Sequence, residues 1–181
     1  MPRSRDDLTA GEWAVLALLA EEPSHGFALA RALAPDGEVG RVWSVRRPLV
    51  YRAIETLTGM DLVRPKGTVT SRAGPQRTVL DVTPAGRRAV TRWLREPVPH
   101  VRDARSMLML KLLFLSHREA DPGPLLRAQR DCYRALAERL SATAEDGEGF
   151  ERTLALWRLE TTRAALRFVD AMLSPALSRS G

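Results

Sequence analysis

Nine residues of this chain have the types and spacing to meet a phosphate backbone. Ser44, Arg46, Arg47, Pro48, Tyr51 and Arg52 fall in one short stretch, and Arg72, Gln76 and Arg77 in another. Arginine's planar fork grips a phosphate, or the O6 and N7 edge of guanine, through two parallel hydrogen bonds, where lysine acts as a point charge. Hydroxyl and amide side chains add contacts to phosphate, sugar or base edge. The ordinary fate of such residues is a solvated, charged helix face. Tyr51, an aromatic set outward among arginines, favours contact over solvation.

Charge is distributed unevenly. Residues 41–95 hold twelve Arg or Lys against Glu55, Asp61 and Asp81, in a chain of 181 residues whose formal charge is +6. The first forty residues are net negative by four, and residues 96–181 carry thirteen basic and twelve acidic side chains. Such asymmetry fits two small domains, 1–95 and 96–181, with different tasks. A basic stretch of this kind binds polyanions by releasing their condensed counterions. Because 26 of the 28 basic residues are Arg, a bias that a GC-rich genome produces unaided, placement counts for more than composition.

Other chemistry is poorly provided for. There is no Gly-rich phosphate loop, no Gly-x-Ser-x-Gly and no His-Glu-x-x-His, so an enzyme is not expected. His25 and His100 lack neighbouring ligands, so neither a metal nor a cofactor is expected. Cys132 is the only cysteine, which precludes an intramolecular disulfide and suits a reducing, cytoplasmic home. The polar start, Met1 to Asp7, has no apolar core of the signal-peptide type. The longest apolar run, 107–115, is interrupted by Lys111 and is far below the ~20 residues that span a bilayer. A soluble protein without a membrane partner is expected.

The elements that must position the basic residues follow from local signals. Thr9 and Glu12 form a capping box, flanked by Leu8 and Trp13 as a hydrophobic staple, so a helix should span 10–21. Ser24 is a plausible cap for a short second helix carrying Phe27, Leu29, Ala30 and Leu33. A third helix should begin between Ser44 and Arg47, since Pro48 is tolerated only in a first turn. Its Val50, Ala53, Ile54 and Leu57 then face a core, and Arg47, Pro48, Tyr51, Arg52 and Glu55 face outward. Strands are expected at 62–69 and 76–82, with Thr78, Leu80 and Val82 facing in, joined by a turn at 71–75 that puts Arg72 and Arg77 near a hairpin tip. Thr83-Pro84 starts a fourth helix with Val90, Trp93 and Leu94 inward. There Arg87, Arg88 and Arg92 serve backbone contacts or solubility.

Three more helical patterns follow the linker 96–100, at 103–117, 124–144 and 150–173. The last bears two apolar stripes where a lone surface helix needs one. Leu154, Trp157, Ala164, Ala165, Phe168 and Met172 form the first stripe, and Leu159, Leu166, Val169 and Leu173 the second. Packing both within the subunit and against a second copy accounts for both. Leu154, Trp157, Leu159, Leu166, Phe168, Val169, Met172 and Leu173 are therefore candidate dimer-interface residues. Trp157 and Arg158 are candidate effector contacts, with core or interface packing the plainer reading of Trp157. Cys132 reads as a small core residue.

With these residues laid out, the chain resembles the PadR family of bacterial transcriptional regulators over nearly its whole length. The resemblance rests on Leu49-Val50-Tyr51-Arg52-Ala53-Ile54-Glu55-Thr56-Leu57 leading to Leu62-Val63, on Leu80-Asp81-Val82-Thr83-Pro84-Ala85-Gly86-Arg87-Arg88, and on His25-Gly26-Phe27. One departure is Asp61, where the family commonly has glycine before the Leu-aliphatic pair; Gly59 stands two residues earlier. The resemblance implies a mainly α fold: an N-terminal winged helix-turn-helix with a two-stranded β wing, then a C-terminal helical dimerisation domain. It also implies a homodimer that binds a pseudo-palindromic operator in double-stranded DNA, acting as a repressor released by a small-molecule effector. Two alternatives remain: a MarR-like regulator, or a non-DNA helical adaptor whose basic patch binds an acidic partner.

Overall fold

The computed structural model describes residues 7–69 and 76–174. They form two compact units. The first takes the described residues to Leu94 together with Met109–Phe114, and the second takes Arg95–Leu108 and the described residues from Leu115 onward.

In the first unit, α1 (Ala10–Glu21) starts at the expected capping box: the Glu12 N–H donates to Thr9 Oγ1 at 3.3 Å, and the Thr9 N–H donates to Glu12 Oε2 at 2.7 Å. Leu8 and Trp13 are both buried beside it, as a staple requires. Most of α1 is enclosed, because it packs against α3 (Arg47–Gly59), α4 (Pro84–Trp93) and β3 (Arg77–Val82). The Trp13 and Trp93 rings stack with centroids 5.0 Å apart, and Phe114 meets Trp93 edge-on at 6.4 Å.

The two expected strands pair in a sheet with a short third, all antiparallel. β1 (Ser24–His25) lies beside β3, which lies beside β2 (Val63–Val69). Ser24 pairs with Leu80 and His25 with Val79. Ser24 is therefore a strand residue and not the cap of α2 (Gly26–Ala32). His25 caps that helix, its Nδ1 accepting the Ala28 N–H at 3.0 Å. The extended backbone of His25 (φ −113°, ψ 157°) serves both as the last residue of a strand and as an N-cap. On β3, Leu80 and Val82 are buried as expected, but Thr78 is exposed. Strand alternation nonetheless puts Thr78 on the same face as Leu80 and Val82.

Helix α3 ends in a Schellman motif. The Leu62 N–H donates to the Leu57 carbonyl and the Asp61 N–H to the Thr58 carbonyl, while Leu57 and Leu62 are fully buried. Asp61 takes the left-handed conformation at φ 54°. Thr83 then locks this corner: its hydroxyl donates to the Asp61 carbonyl at 2.8 Å, its N–H donates to the Leu62 carbonyl at 2.9 Å, and its Oγ1 accepts the Gly86 N–H. A Cβ at Gly86 would stand 2.3 Å from the Leu62 carbonyl oxygen. Glycine there lets α4 seat against the strand.

In the second unit the linker is pinned by Gln129. Its buried amide donates to the Val98 carbonyl at 2.8 Å and accepts the Val98 N–H at 2.7 Å. The expected single helix at 103–117 is a 3-10 turn (Val101–Asp103), a π-helical turn (Ala104–Leu108) and α5 (Met109–His117) in succession. A second Schellman motif, with Glu119 at φ 50°, closes α5. Helices α6 (Gly123–Asp146) and α7 (Gly149–Leu173) pack against each other.

The two stripes of α7 separate in this packing. Ala155, Leu159, Thr162 and Val169 are buried within the chain. Leu159 and Val169 thus leave the set of candidate interface residues, because the chain itself covers them. Leu166, Met172 and Leu173 are partly covered, as is Leu154. Phe150 is 76% exposed and Trp157 71%, and Phe168 is also exposed. At 100° per residue, Phe150, Leu154, Trp157, Thr161, Ala164 and Phe168 make one continuous seam, about 140° around the helix from the buried one.

Candidate nucleic-acid interface

Helix α3 presents the two faces that its sequence predicts. Val50, Ala53 and Leu57 are buried, while Arg46, Arg47, Pro48, Tyr51, Arg52 and Glu55 are exposed. Its N-terminus breaks an electrostatic rule. The first turn of a helix favours acids, because the unpaired N–H groups make it positive. Here Arg46 is the N-cap, Arg47 is the first helical residue, no acid lies in the first turn, and no side chain caps it. Local stability disfavours this choice. An anion held against the same turn would be attracted by both the arginines and the helix dipole. By contrast, α1 has Glu12 in its first turn.

Two sequence segments that look unrelated meet at this helix. A Cβ on Gly26 would lie 2.7 Å from Cε1 of Tyr51, so the tyrosine ring rests where only a glycine leaves room. The next residue, Phe27, is 45% exposed. The Arg47 guanidinium lies 5.5 Å from the Phe27 ring centroid and 5.8 Å from that of Tyr51, and the Arg77 guanidinium, from β3, lies 4.9 Å from Phe27. These are cation–π distances. Arg47, Tyr51 and Arg77 are thereby brought to one surface. Gln76 is exposed next to Arg77. Arg72 falls outside the described residues.

Ser44, Arg46 and Arg52 line a different feature, a cleft of about 660 Å³ walled by Trp43, Leu49 and Thr9. The outward face of α3 is thus flanked by Phe27 on one side and this cleft on the other. Arg31 and Arg41 are exposed. The model of the PadR-like family of transcriptional regulators matches residues 15–92, which include Phe27, all of α3 and both β2 and β3. Residues 15–92 are thus similar to the PadR-like domain.

The likeness to individual proteins extends past the PadR-like domain. "Probable transcriptional regulator Rv1176c" of Mycobacterium tuberculosis is 28% identical over 162 residues, covering 79% of this chain and 84% of the relative. Among solved structures, Bacillus subtilis PadR in complex with operator DNA is 20% identical, with a TM-score of 0.46, over 90% of this chain and 97% of that one. The protein smu.1604c of Streptococcus mutans is 14% identical, with a TM-score of 0.43, over 90% of this chain and 98% of that one.

Sequence reasoning missed Phe27 as a site residue. As an apolar residue on a short helix it reads as core, and the only available signal was its place after His25-Gly26 in the motif shared with PadR-like proteins. Elsewhere, Trp157 and Arg158 are exposed on α7. Cys132 is partly buried, and burial pushes its thiol up despite the opposing charge of Arg139. Tyr133 is fully buried and its hydroxyl is pushed up by the same cause. Among the described residues no cluster of His, Cys, Asp or Glu could hold a metal. No helix among them is long and apolar enough to cross a membrane.

Proposed function

We propose that this PadR-like regulator binds double-stranded DNA in a sequence-dependent manner, with α3 as its recognition helix and the β2–β3 hairpin as its wing. Arg46, Arg47 and Arg52 supply phosphate and base-edge contacts, with Ser44, Pro48 and Tyr51 beside them, and Arg72, Gln76 and Arg77 supply further contacts. The observation that carries this reading is the first turn of α3, where arginine stands at two positions that an isolated helix would fill with acids or a capping hydroxyl. The match of residues 15–92 to the PadR-like model, and the likeness to a relative named a probable transcriptional regulator, support a regulatory role.

The chain acts as a homodimer. Its exposed seam on α7, with side chains at Phe150, Leu154, Trp157, Thr161, Ala164 and Phe168, repeats at alternating spacings of four and three, as helices paired with a second helix do. A contiguous apolar strip with Phe150 and Trp157 mostly in water is costly unless something covers it. Two copies joined through residues 96–181 would set two recognition helices on the half-sites of a pseudo-palindrome. Repression, relieved by a small molecule held near Trp157 and Arg158, completes the proposal.

Fluorescence anisotropy on duplex from the chain's own promoter region tests it. Promoter DNA should bind at least tenfold more tightly than random duplex at moderate salt. Arg47→Ala should lower the slope of log K against log salt by about one if the contact is to phosphate. Equal, weak binding of both duplexes would remove operator recognition and favour the adaptor reading.

A further inference from the structure

We propose that Phe27 is a positioning residue for DNA contact, whose ring gathers Arg47 of the recognition helix and Arg77 of the wing into one prearranged cationic pair. The inference rests on the DNA-binding reading above and deepens it. Phe27 is a large aromatic residue left 45% exposed at the start of α2, with the two guanidinium groups 5.5 and 4.9 Å from its centroid. These arginines come from elements thirty residues apart in sequence. Phe27 itself stands on a fixed base: His25 is paired to Val79 of β3 and caps α2, so the ring is tied to the strand that carries Arg77.

A free arginine at a surface samples many rotamers, and ordering it on binding costs affinity. The negative face of a phenyl ring stabilises a guanidinium parked over it while leaving N–H groups free to donate. A phosphate backbone approaching this surface meets arginines already placed. Recognition helix and wing then act together.

The test uses the full chain and promoter duplex. Phe27→Leu keeps an apolar side chain and removes the ring, while Phe27→Tyr keeps the ring. Two contacts of this kind at an exposed site predict that Phe27→Leu weakens DNA binding about five- to thirtyfold. The salt slope should stay unchanged, since no charge is lost. Phe27→Tyr should restore affinity to within about twofold of the parent. In the background of Arg47→Ala with Arg77→Ala, Phe27→Leu should have almost no effect. Equal weakening in both backgrounds would mean that the ring touches DNA or merely supports the fold, and would overturn the proposal, as would no weakening at all. Without DNA, the side-chain Nε–H proton resonances of Arg47 and Arg77 should shift when Phe27→Leu removes the ring current. If the parent binds promoter DNA but these resonances do not move, the positioning role fails alone. If the parent does not discriminate promoter DNA, the functional reading fails with it, whatever the resonances show.

Discussion

Moving one glycine by two positions should stabilise the N-terminal unit. Asp61 occupies the left-handed conformation at φ 54°, which costs an L-residue ~1–2 kcal/mol, with Asp at the lower end because its short polar chain can bond locally. Glycine removes that cost but loses ~0.5–1 kcal/mol more backbone entropy on folding, so Asp61→Gly should gain up to about 0.5 kcal/mol. Gly59 is the last residue of α3, and a Cβ there meets nothing within 4 Å. Gly59→Ala should therefore gain about 0.5–1 kcal/mol by restricting the unfolded chain. The bonds from Thr83 to this corner end on the backbone carbonyls of Asp61 and Leu62, so neither substitution removes one. Together the changes amount to about 0.5–1.5 kcal/mol, or about 2–12 °C in melting temperature for a unit of this size. Urea unfolding should show a higher midpoint at unchanged slope. Asp61→Ala is the control and should gain nothing. A lower midpoint for Asp61→Gly, or equal gains for glycine and alanine at 61, would refute the reasoning.

Gly26→Ala should push the Tyr51 ring out of place, because the new Cβ would be 2.7 Å from Cε1; promoter affinity should fall severalfold while the melting temperature barely moves. Gly86→Ala should act in the opposite sense, costing stability of about 2 kcal/mol or more, since the Leu62 carbonyl 2.3 Å from its Cβ is backbone held by the Thr83 N–H; circular dichroism during thermal unfolding would report it. Gln129→Leu should cost about 2–3 kcal/mol in chemical denaturation by stranding both Val98 backbone groups. The Cys132 thiol, pushed up by burial, stays protonated at neutral pH, so alkylation should be slow at pH 7 and accelerate only in alkaline solution; fast labelling at neutral pH would count against it.

What could be read from the sequence was local. The Thr9 and Glu12 box, the Thr83-Pro84 start and the proline in the first turn of α3 each involve residues within one helical turn, and all three form. The outward set on α3 follows from its period alone. What escaped depends on partners distant in the chain. A two-residue strand has no period, so Ser24–His25 becomes a strand only because Leu80 and Val79 lie beside it. Thr78 has the correct alternation and still lies exposed, because alternation assigns a face but not what packs on it. Two stripes on α7 were legible, but which of them faces inward is set by α6. At Asp61, a position where glycine would be expected, the aspartate itself adopts the left-handed conformation.

The discontinuity of the first unit limits how this chain can be recombined. Leu110, Lys111 and Phe114 are buried, with the Lys111 ammonium 5.3 Å from the Trp93 centroid and Phe114 at the edge of that ring. A graft that ends near residue 95 would carry Trp93 away from the side chains that cover it. Chimeras that exchange this N-terminal unit with relatives should therefore place their junction after Phe114, or transplant Met109–Phe114 with the unit, so that the donor's own helix closes over the tryptophan.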